Sequence, residues 1–188
     1  MKKFLSRIFL ILSVTLIMCL PMAASAATQY VKLAGGPGNT VNVRMKPSTS
    51  ATIVSTLTHG SQVTVSSSSN GWSKVTFHEY NSRHVFGTGT GYIKNDFLSS
   101  TIPSDTLWIA RYGSAAIKTS NTHSNGCALL QKDLKRCPIE LADDFEVDGY
   151  CGTKTVNAIK EFQKLAGITA DGIAGNLTKE MLYKFVKP

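Results

Sequence analysis

Cys127, Cys137 and Cys151, with His123 just ahead of the first, come nearest to a reactive set in this 188-residue chain. A thiolate beside an imidazole can act as a nucleophile, and Cys and His are the donors of zinc sites. The spacing argues for another role. Cys127, Leu130, Leu134 and Cys137 recur at intervals of three and four, one apolar stripe of a helix. A thiol in such a stripe is a small hydrophobe. Asp143, Asp144, Glu146 and Asp148 carry oxygens that Ca²⁺ prefers, but they read as a solvated acidic loop. His59, His78 and His84, with Glu79, read as solvated loop residues. The sequence therefore predicts no catalytic residue, no metal site and no cofactor.

Two matching octets organise the C-terminal half instead. Asp148-Gly149-Tyr150-Cys151-Gly152-Thr153-Lys154-Thr155 and Asp171-Gly172-Ile173-Ala174-Gly175-Asn176-Leu177-Thr178 both read D-G-x-x-G-x-x-T. An Asp-Gly pair turns the chain because Gly adopts positive φ freely. The four glycines, Gly149, Gly152, Gly172 and Gly175, are expected to serve backbone shape. Asp148 and Asp171 are expected to accept hydrogen bonds from the turn or from Thr155 and Thr178. Each octet feeds an amphipathic run: Val156, Ile159, Phe162 and Ala166, stopped by Gly167, and then Leu177, Met181, Leu182 and Phe185. Ser124 or Asn125 can cap the earlier helix that carries the cysteines. Three short helices are each marginal alone, so a shared core must hold them as a three-helix bundle over 111–188.

Residues 28–99 have a different period. Val41 to Met45, Ile53 to Leu57 and Gln62 to Val65 alternate apolar and polar side chains. Lys46-Pro47-Ser48, His59-Gly60 and Asn70-Gly71 punctuate them. Five to seven short strands in a small all-β barrel are expected. Asn42 and Arg44 point away from Val41 and Val43, and are candidate ligand contacts or structural hydrogen-bonders. Trp72 and Tyr92 belong either to the core or to a ligand groove. Between the halves, 100–110 reads as a linker, small and polar around Pro103. Leu107 to Tyr112 reads as a strand-like lead-in in which Trp108 and Tyr112 pack on the next domain; an exposed sugar-stacking surface is the alternative.

The N-terminus carries Lys2, Lys3 and Arg7, an apolar run from Ile8 to Leu20, and Ala24-Ser25-Ala26, the marks of a signal peptide over 1–26. The run is too short, and too soon followed by Pro21, for stable membrane insertion after cleavage. Met18 before Cys19 argues against a lipid anchor. Of the 20 Lys and Arg residues three lie in this leader, and the remaining 17 exceed the 12 acidic residues by five. A basic exported protein suits an anionic surface such as the cell wall. The cations are scattered, which argues against nucleic acid.

Two resemblances follow from these motifs. Val41-Asn42-Val43-Arg44 with Pro47-Ser48, Gly60-Ser61-Gln62-Val63-Thr64-Val65, Asn70-Gly71-Trp72-Ser73-Lys74-Val75, Gly91-Tyr92-Ile93 and Phe97-Leu98 together resemble a bacterial SH3 (SH3b) domain. His78 to Thr90 is longer than that pattern and should form an extended hairpin or loop. Leu130-Gln131-x-x-Leu134, the first octet with Ala158-Ile159-x-x-Phe162-Gln163, and Gly167-Ile168 with the second octet resemble the peptidoglycan-binding-domain-1 family. The first resemblance implies a small barrel that binds wall peptide or polymer, and the second a three-helix, non-catalytic module that docks on the wall. Ser124-Asn125-Gly126-Cys127 partly resembles the S-H-G-C motif of L,D-transpeptidases, but Asn125 stands where that motif has His.

Where the second family resembles Val, Leu and Phe, this chain has Cys127, Cys137 and Cys151. Two close thiols in an oxidising compartment should pair. A Cys137–Cys151 bridge would close a loop of about 15 residues and contribute roughly 3 kcal/mol; Cys127–Cys151 is the alternative. Cys127–Cys137 would have to span about 15 Å along one helix. The expected protein is secreted or lies in the cell envelope, binds peptidoglycan or another wall polymer without catalysis, and can partner a separate wall enzyme. The alternatives are a wall hydrolase or transpeptidase-related enzyme, or a protein-binding adaptor.

Overall fold

The computed structural model describes residues 26–80 and 85–187. The expected leader, apart from Ala26, lies outside this range, as does His84. Among the described residues, the N-terminal half forms one antiparallel sheet of seven strands: β1 (Ala27–Val31), β2 (Thr40–Arg44), β3 (Ile53–Thr58), β4 (Gln62–Ser69), β5 (Trp72–Tyr80), β6 (Phe86–Lys94) and β7 (Leu98–Ser99). Their order is β3-β2-β6-β5-β4-β1-β7, and the sheet curls around Val31, Val43, Val63, Val75, Phe77 and Ile93. The alternation seen in the sequence sets which side chains face inward. Gly89 lies opposite Phe77 across the β5–β6 ladder. A Cβ there would stand 2.4 Å from the Phe77 ring, so only glycine admits that ring to the core.

The C-terminal half is helical, with α1 (Leu107–Tyr112), α2 (Asn125–Leu134), α3 (Thr153–Leu165) and α4 (Asn176–Val186). The sequence predicts three helices; α1 is the fourth. It occupies the stretch expected as a strand-like lead-in, and its first turn falls inside the expected linker. Trp108 and Tyr112 recur four residues apart and are 3% and 2% exposed, so they anchor one helical stripe in the core. Leu130, Leu134, Ile159, Phe162, Met181 and Leu182 complete that core. Ser124 caps α2, its side chain accepting from the Cys127 N–H at 3.3 Å. No helix among the described residues is long and apolar enough to cross a membrane.

Two buried charges tie α1 down. Asp133 is fully buried on α2 and accepts from Arg111 Nε and Nη2 at 2.5 and 2.7 Å, and from the Tyr112 hydroxyl at 2.7 Å. The carboxylate raises Arg111, and burial followed by the same carboxylate raises Tyr112. Lys179, fully buried on α4, donates to the carbonyls of Gly113, Ser114 and Ala115 at 2.7 to 3.2 Å, with Nζ 5.2 Å from the Trp108 ring centre. It thereby occupies carbonyls at and beyond the α1 C-terminus. Burial pulls its pKa down to about 8.

The two halves share a broad contact. Tyr80 and Phe86, at the connected end of the β5–β6 hairpin, pack on Phe185, and Phe86 meets Phe162 edge-on at 5.8 Å. The Gln62 N–H donates to Glu180 Oε2 at 2.8 Å, and Lys184 bridges Glu180 and Ser61. His59 is buried rather than solvated. Its Nδ1 accepts from the Leu33 N–H and its Nε2 donates to Asp105, both at 3.0 Å. The joint is therefore held by specific bonds.

Asp133→Ala should lower unfolding free energy by about 3–5 kcal/mol, because Arg111 would be left half-buried without its partner. Urea denaturation of the two proteins measures this, and a loss below about 1 kcal/mol would refute the assigned role.

Candidate functional site

The two octets are closed by the same device. A buried glutamine from the preceding helix reaches into each turn. Gln131 Nε2 donates to Asp148 Oδ1 (2.7 Å), the Tyr150 carbonyl (3.0 Å) and Thr155 Oγ1 (2.9 Å), while its Oε1 accepts from the Gly149 N–H (2.8 Å). Gln163 repeats the set with Asp171 (2.8 Å), the Ile173 carbonyl (3.0 Å), Thr178 (3.1 Å) and the Gly172 N–H (2.9 Å). Both amides are 1% exposed, so every polar atom must find a partner inside, and each does.

Of the two partners open to the aspartates, the turn and the threonines, the turn supplies the bond. Asp148 accepts from the Tyr150 N–H at 2.9 Å and Asp171 from the Ile173 N–H at 2.8 Å. The hydroxyls of Thr155 and Thr178 bond the glutamine amide and the turn carbonyl instead. The glycines also divide. Gly149 and Gly172 both have φ 77, with His123 and Val156 packed where a side chain would start. Gly152 and Gly175 sit at helix N-cap positions with φ −80 and −74 and open space around them, so neither conformation nor crowding requires glycine there.

The cysteines are brought together in the pairing that ranked second in the sequence. The segment between α1 and α2 runs across both turns, pairing Ile117 with Ala174 and Ser120 with Cys151, while the Ser124 N–H donates to the Gly149 carbonyl. That places the first turn of α2 against the first octet. Cys127 and Cys151 share a thiol hydrogen bond, which raises Cys127 and lowers Cys151. Cys137 lies beyond the far end of α2, donates to the Asp133 carbonyl at 3.5 Å, and is pushed up to about 12 by burial. All three are free, buried thiols. His123 stacks edge-on against Tyr150 at 5.5 Å. Asp144 pairs with Lys154.

The four candidate ligand contacts of the β half share one sheet face. Tyr92 on β6 pairs with Lys74 on β5 and Arg44 on β2, and Trp72 pairs with Lys94. Asn42 lies two residues from Arg44 on the same side, opposite the buried Val41 and Val43. Trp72 and Tyr92 are half-buried on this outer face and lie outside the strand core. Arg44 also donates to the Ala51 carbonyl at 2.7 Å, so its guanidinium is positioned. The result is an aromatic face ringed by Arg44, Lys74 and Lys94. The other end of the same face, around His78 and Tyr80, lies under α4.

Sequence reasoning missed Gln131, Gln163, Asp133 and Lys179. The glutamines had a visible signal: each follows an apolar stripe residue, Leu130 or Phe162, ahead of its octet. Asp133 and Lys179 had none, since a lone charge between apolar stripe positions reads as solvated.

With this geometry in view, two stretches of the chain match known families. Residues 39–99 match the bacterial SH3 domain family, and residues 123–182 match the family described as "Putative peptidoglycan binding domain". The two matched stretches follow the order expected. N-acetylmuramoyl-L-alanine amidase CwlL of Bacillus licheniformis is 51% identical over 41 residues, which are 22% of this chain and 11% of that protein. A probable N-acetylmuramoyl-L-alanine amidase of the same organism is 49% identical over 41 residues, 22% and 12% of the two chains. The chain therefore spans about a ninth of the length of these relatives. A peptidoglycan-binding protein from Clostridioides difficile, in complex with glutamine hydroxamate, is 20% identical over 65% of this chain and 70% of its own, with a TM-score of 0.32.

Three outcomes are expected here. Gln163→Leu should cost roughly 3 kcal/mol, because the Gly172 N–H and the Thr178 hydroxyl lose buried partners; equilibrium denaturation reads it. Gln131 and the Tyr150 N–H hold the Asp148 carboxyl below the usual carboxylate range, and the Ile173 N–H and Gln163 do so for Asp171. A depressed folded-state pKa stabilises above the unfolded value, about 3.9, and that contribution is lost as pH falls through the folded value. Thermal midpoints should drop below about pH 4, and the drop should shrink in an Asp148→Asn, Asp171→Asn double variant. Mild oxidation should link Cys127 to Cys151 in unreduced peptide maps; a Cys137–Cys151 link would contradict the packing.

Proposed function

We propose that this protein is exported and binds bacterial peptidoglycan without catalysis, attaching itself or a partner wall enzyme to the cell envelope. The observation that carries this reading is the aromatic, cation-ringed sheet face of the SH3-type half, joined to a helical half of peptidoglycan-binding type. Rings there can stack on apolar faces of sugars or peptide side chains, and Arg44, Lys74 and Lys94 suit the anionic groups of a wall polymer. The expected division, a leader over 1–26, a β module over 28–99 and a helical module after a joint, fits this reading, with the helical half beginning at Leu107. Binding modules are rigid recognition surfaces. The turn glutamines, Asp133 and Lys179 are all consumed in internal hydrogen bonds.

The amidases that share a 41-residue stretch favour a supporting role beside a hydrolase. A wall amidase is accordingly the kind of partner enzyme expected.

Sedimentation with purified insoluble peptidoglycan tests the reading. The mature protein should pellet with the wall. Trp72→Ala and Tyr92→Ala should each weaken retention about three- to tenfold if the rings stack on ligand. Absence of the wild type from the pellet would refute wall binding; equal retention of wild type and both variants would remove this face from the site.

A further inference from the structure

A cleft of about 820 Å³ runs between the two halves, away from the aromatic face. One wall is β3; the other is α1 and the C-terminal end of α4. Three features of the cleft are left unused by contacts among the described residues. First, β3 is a sheet edge that pairs with β2 alone among the described residues, so none of them takes up the backbone groups on its far side. Val54 sits at a register shift and takes no partner on β2. Second, Ile53, Val54 and Leu107 line the cleft and are 43–48% exposed, a grouping of bare apolar surface that folding does not explain. Third, Trp108 lines the cleft while 3% exposed, and its indole Nε1–H is a buried donor with no acceptor among the described residues. A native protein rarely leaves such a donor unpaired, and a ligand acceptor is one way to satisfy it.

The charges narrow the ligand class. Lys187 is exposed at the α4 end of the cleft and pairs with no carboxylate among the described residues. Glu79 accepts from the Ser55 hydroxyl at 2.9 Å and has no cation partner among them. Lys184 and Glu180 neutralise each other at 2.6 Å. Among the described residues the cleft thus offers one free cation, Lys187, and one free carboxylate, Glu79, beside an open strand edge. Neutral glycan would satisfy neither charge. An extended peptide with an amine and a carboxylate meets both, and its amides match the strand spacing.

We propose that this cleft binds a short extended peptide bearing a free amine and a free carboxylate, the chemistry of a wall stem peptide, by adding it as a strand to β3. Lys187 takes the carboxylate, Glu79 the amine, and the Trp108 N–H a peptide carbonyl. This rests on the wall-binding reading and names the component recognised at a second surface.

The test is titration of the mature protein with a synthetic stem-type tetrapeptide carrying one diamino acid and a free C-terminal carboxylate, followed by the NMR resonance of the Trp108 indole N–H. Saturable movement of that resonance is expected, with affinity about tenfold lower in Lys187→Glu and in Glu79→Gln. Val54→Pro, which removes an edge N–H outside the β2 ladder, should also weaken binding; the two charge variants carry the test if the proline variant does not fold. Wall sedimentation is run in parallel. An unmoved indole resonance in a protein that still pellets overturns the cleft assignment and leaves wall binding standing. A shift with the peptide in a protein that does not pellet supports the cleft and overturns attachment to the intact wall. Movement with a glycan oligosaccharide alone, or with protein concentration alone, overturns the peptide assignment in favour of a sugar or of a second copy of the chain.

Discussion

Two buried amides hold the helical half in register. Gln131 on α2 grips the turn that begins α3, and Gln163 on α3 grips the turn that begins α4. Each amide binds an aspartate, a turn carbonyl, a threonine one turn into the next helix, and a glycine N–H exposed by positive φ. Helices of 10 to 13 residues are marginal in isolation. The clasp converts local turn preference into a fixed angle between successive helices. Because both amides are inaccessible to water, a missing partner would be costly, and the geometry has little freedom to drift.

The position of α4 follows from the second clasp, and much else follows from α4. Its Lys179 occupies the carbonyls after α1, its Glu180 receives the Gln62 N–H of the sheet, and its Phe185 receives Tyr80 and Phe86 from the β5–β6 hairpin. The extra length of that hairpin, which departs from the SH3b pattern, is spent on the contact between modules. Two modules on a loose tether would raise avidity through effective concentration. Modules docked in this way present surfaces at a set separation, which limits the ligands that both can engage but spares the ordering cost on binding. The cleft beside β3 exists because of this docking.

The β half was legible from alternation, and the structure honours it: Val41 and Val43 face in, Asn42 and Arg44 face out. The helical stripes around Leu130, Ile159 and Met181 were equally plain. Where the reading failed, a local pattern met a long-range demand. Leu107 to Tyr112 looked extended because six residues are too few to display a helical period, yet Trp108 and Tyr112 need the same face of α1 to reach the core. His59 looked solvated because it follows a strand and precedes Gly60, but its ring bonds Leu33 and Asp105, 26 and 46 residues away. The preferred cysteine pairing rested on loop length, and loop length does not say that the segment ahead of α2 crosses the Asp-Gly turn and carries Cys127 to Cys151.

The sequence by itself determined the two modules, their order, the inward-facing positions and the repeated turns, because all of these are encoded in periods of two and 3.6 residues and in Asp-Gly chemistry within a few residues. Only the tertiary structure decided that Gln131 and Gln163 are buried clasps, that Asp133 and Lys179 are buried charges holding α1, and that the candidate contacts Asn42, Arg44, Trp72 and Tyr92 share one face. Those facts depend on which distant segments meet. A polar side chain looks the same in sequence whether water or a buried partner receives its hydrogen bonds.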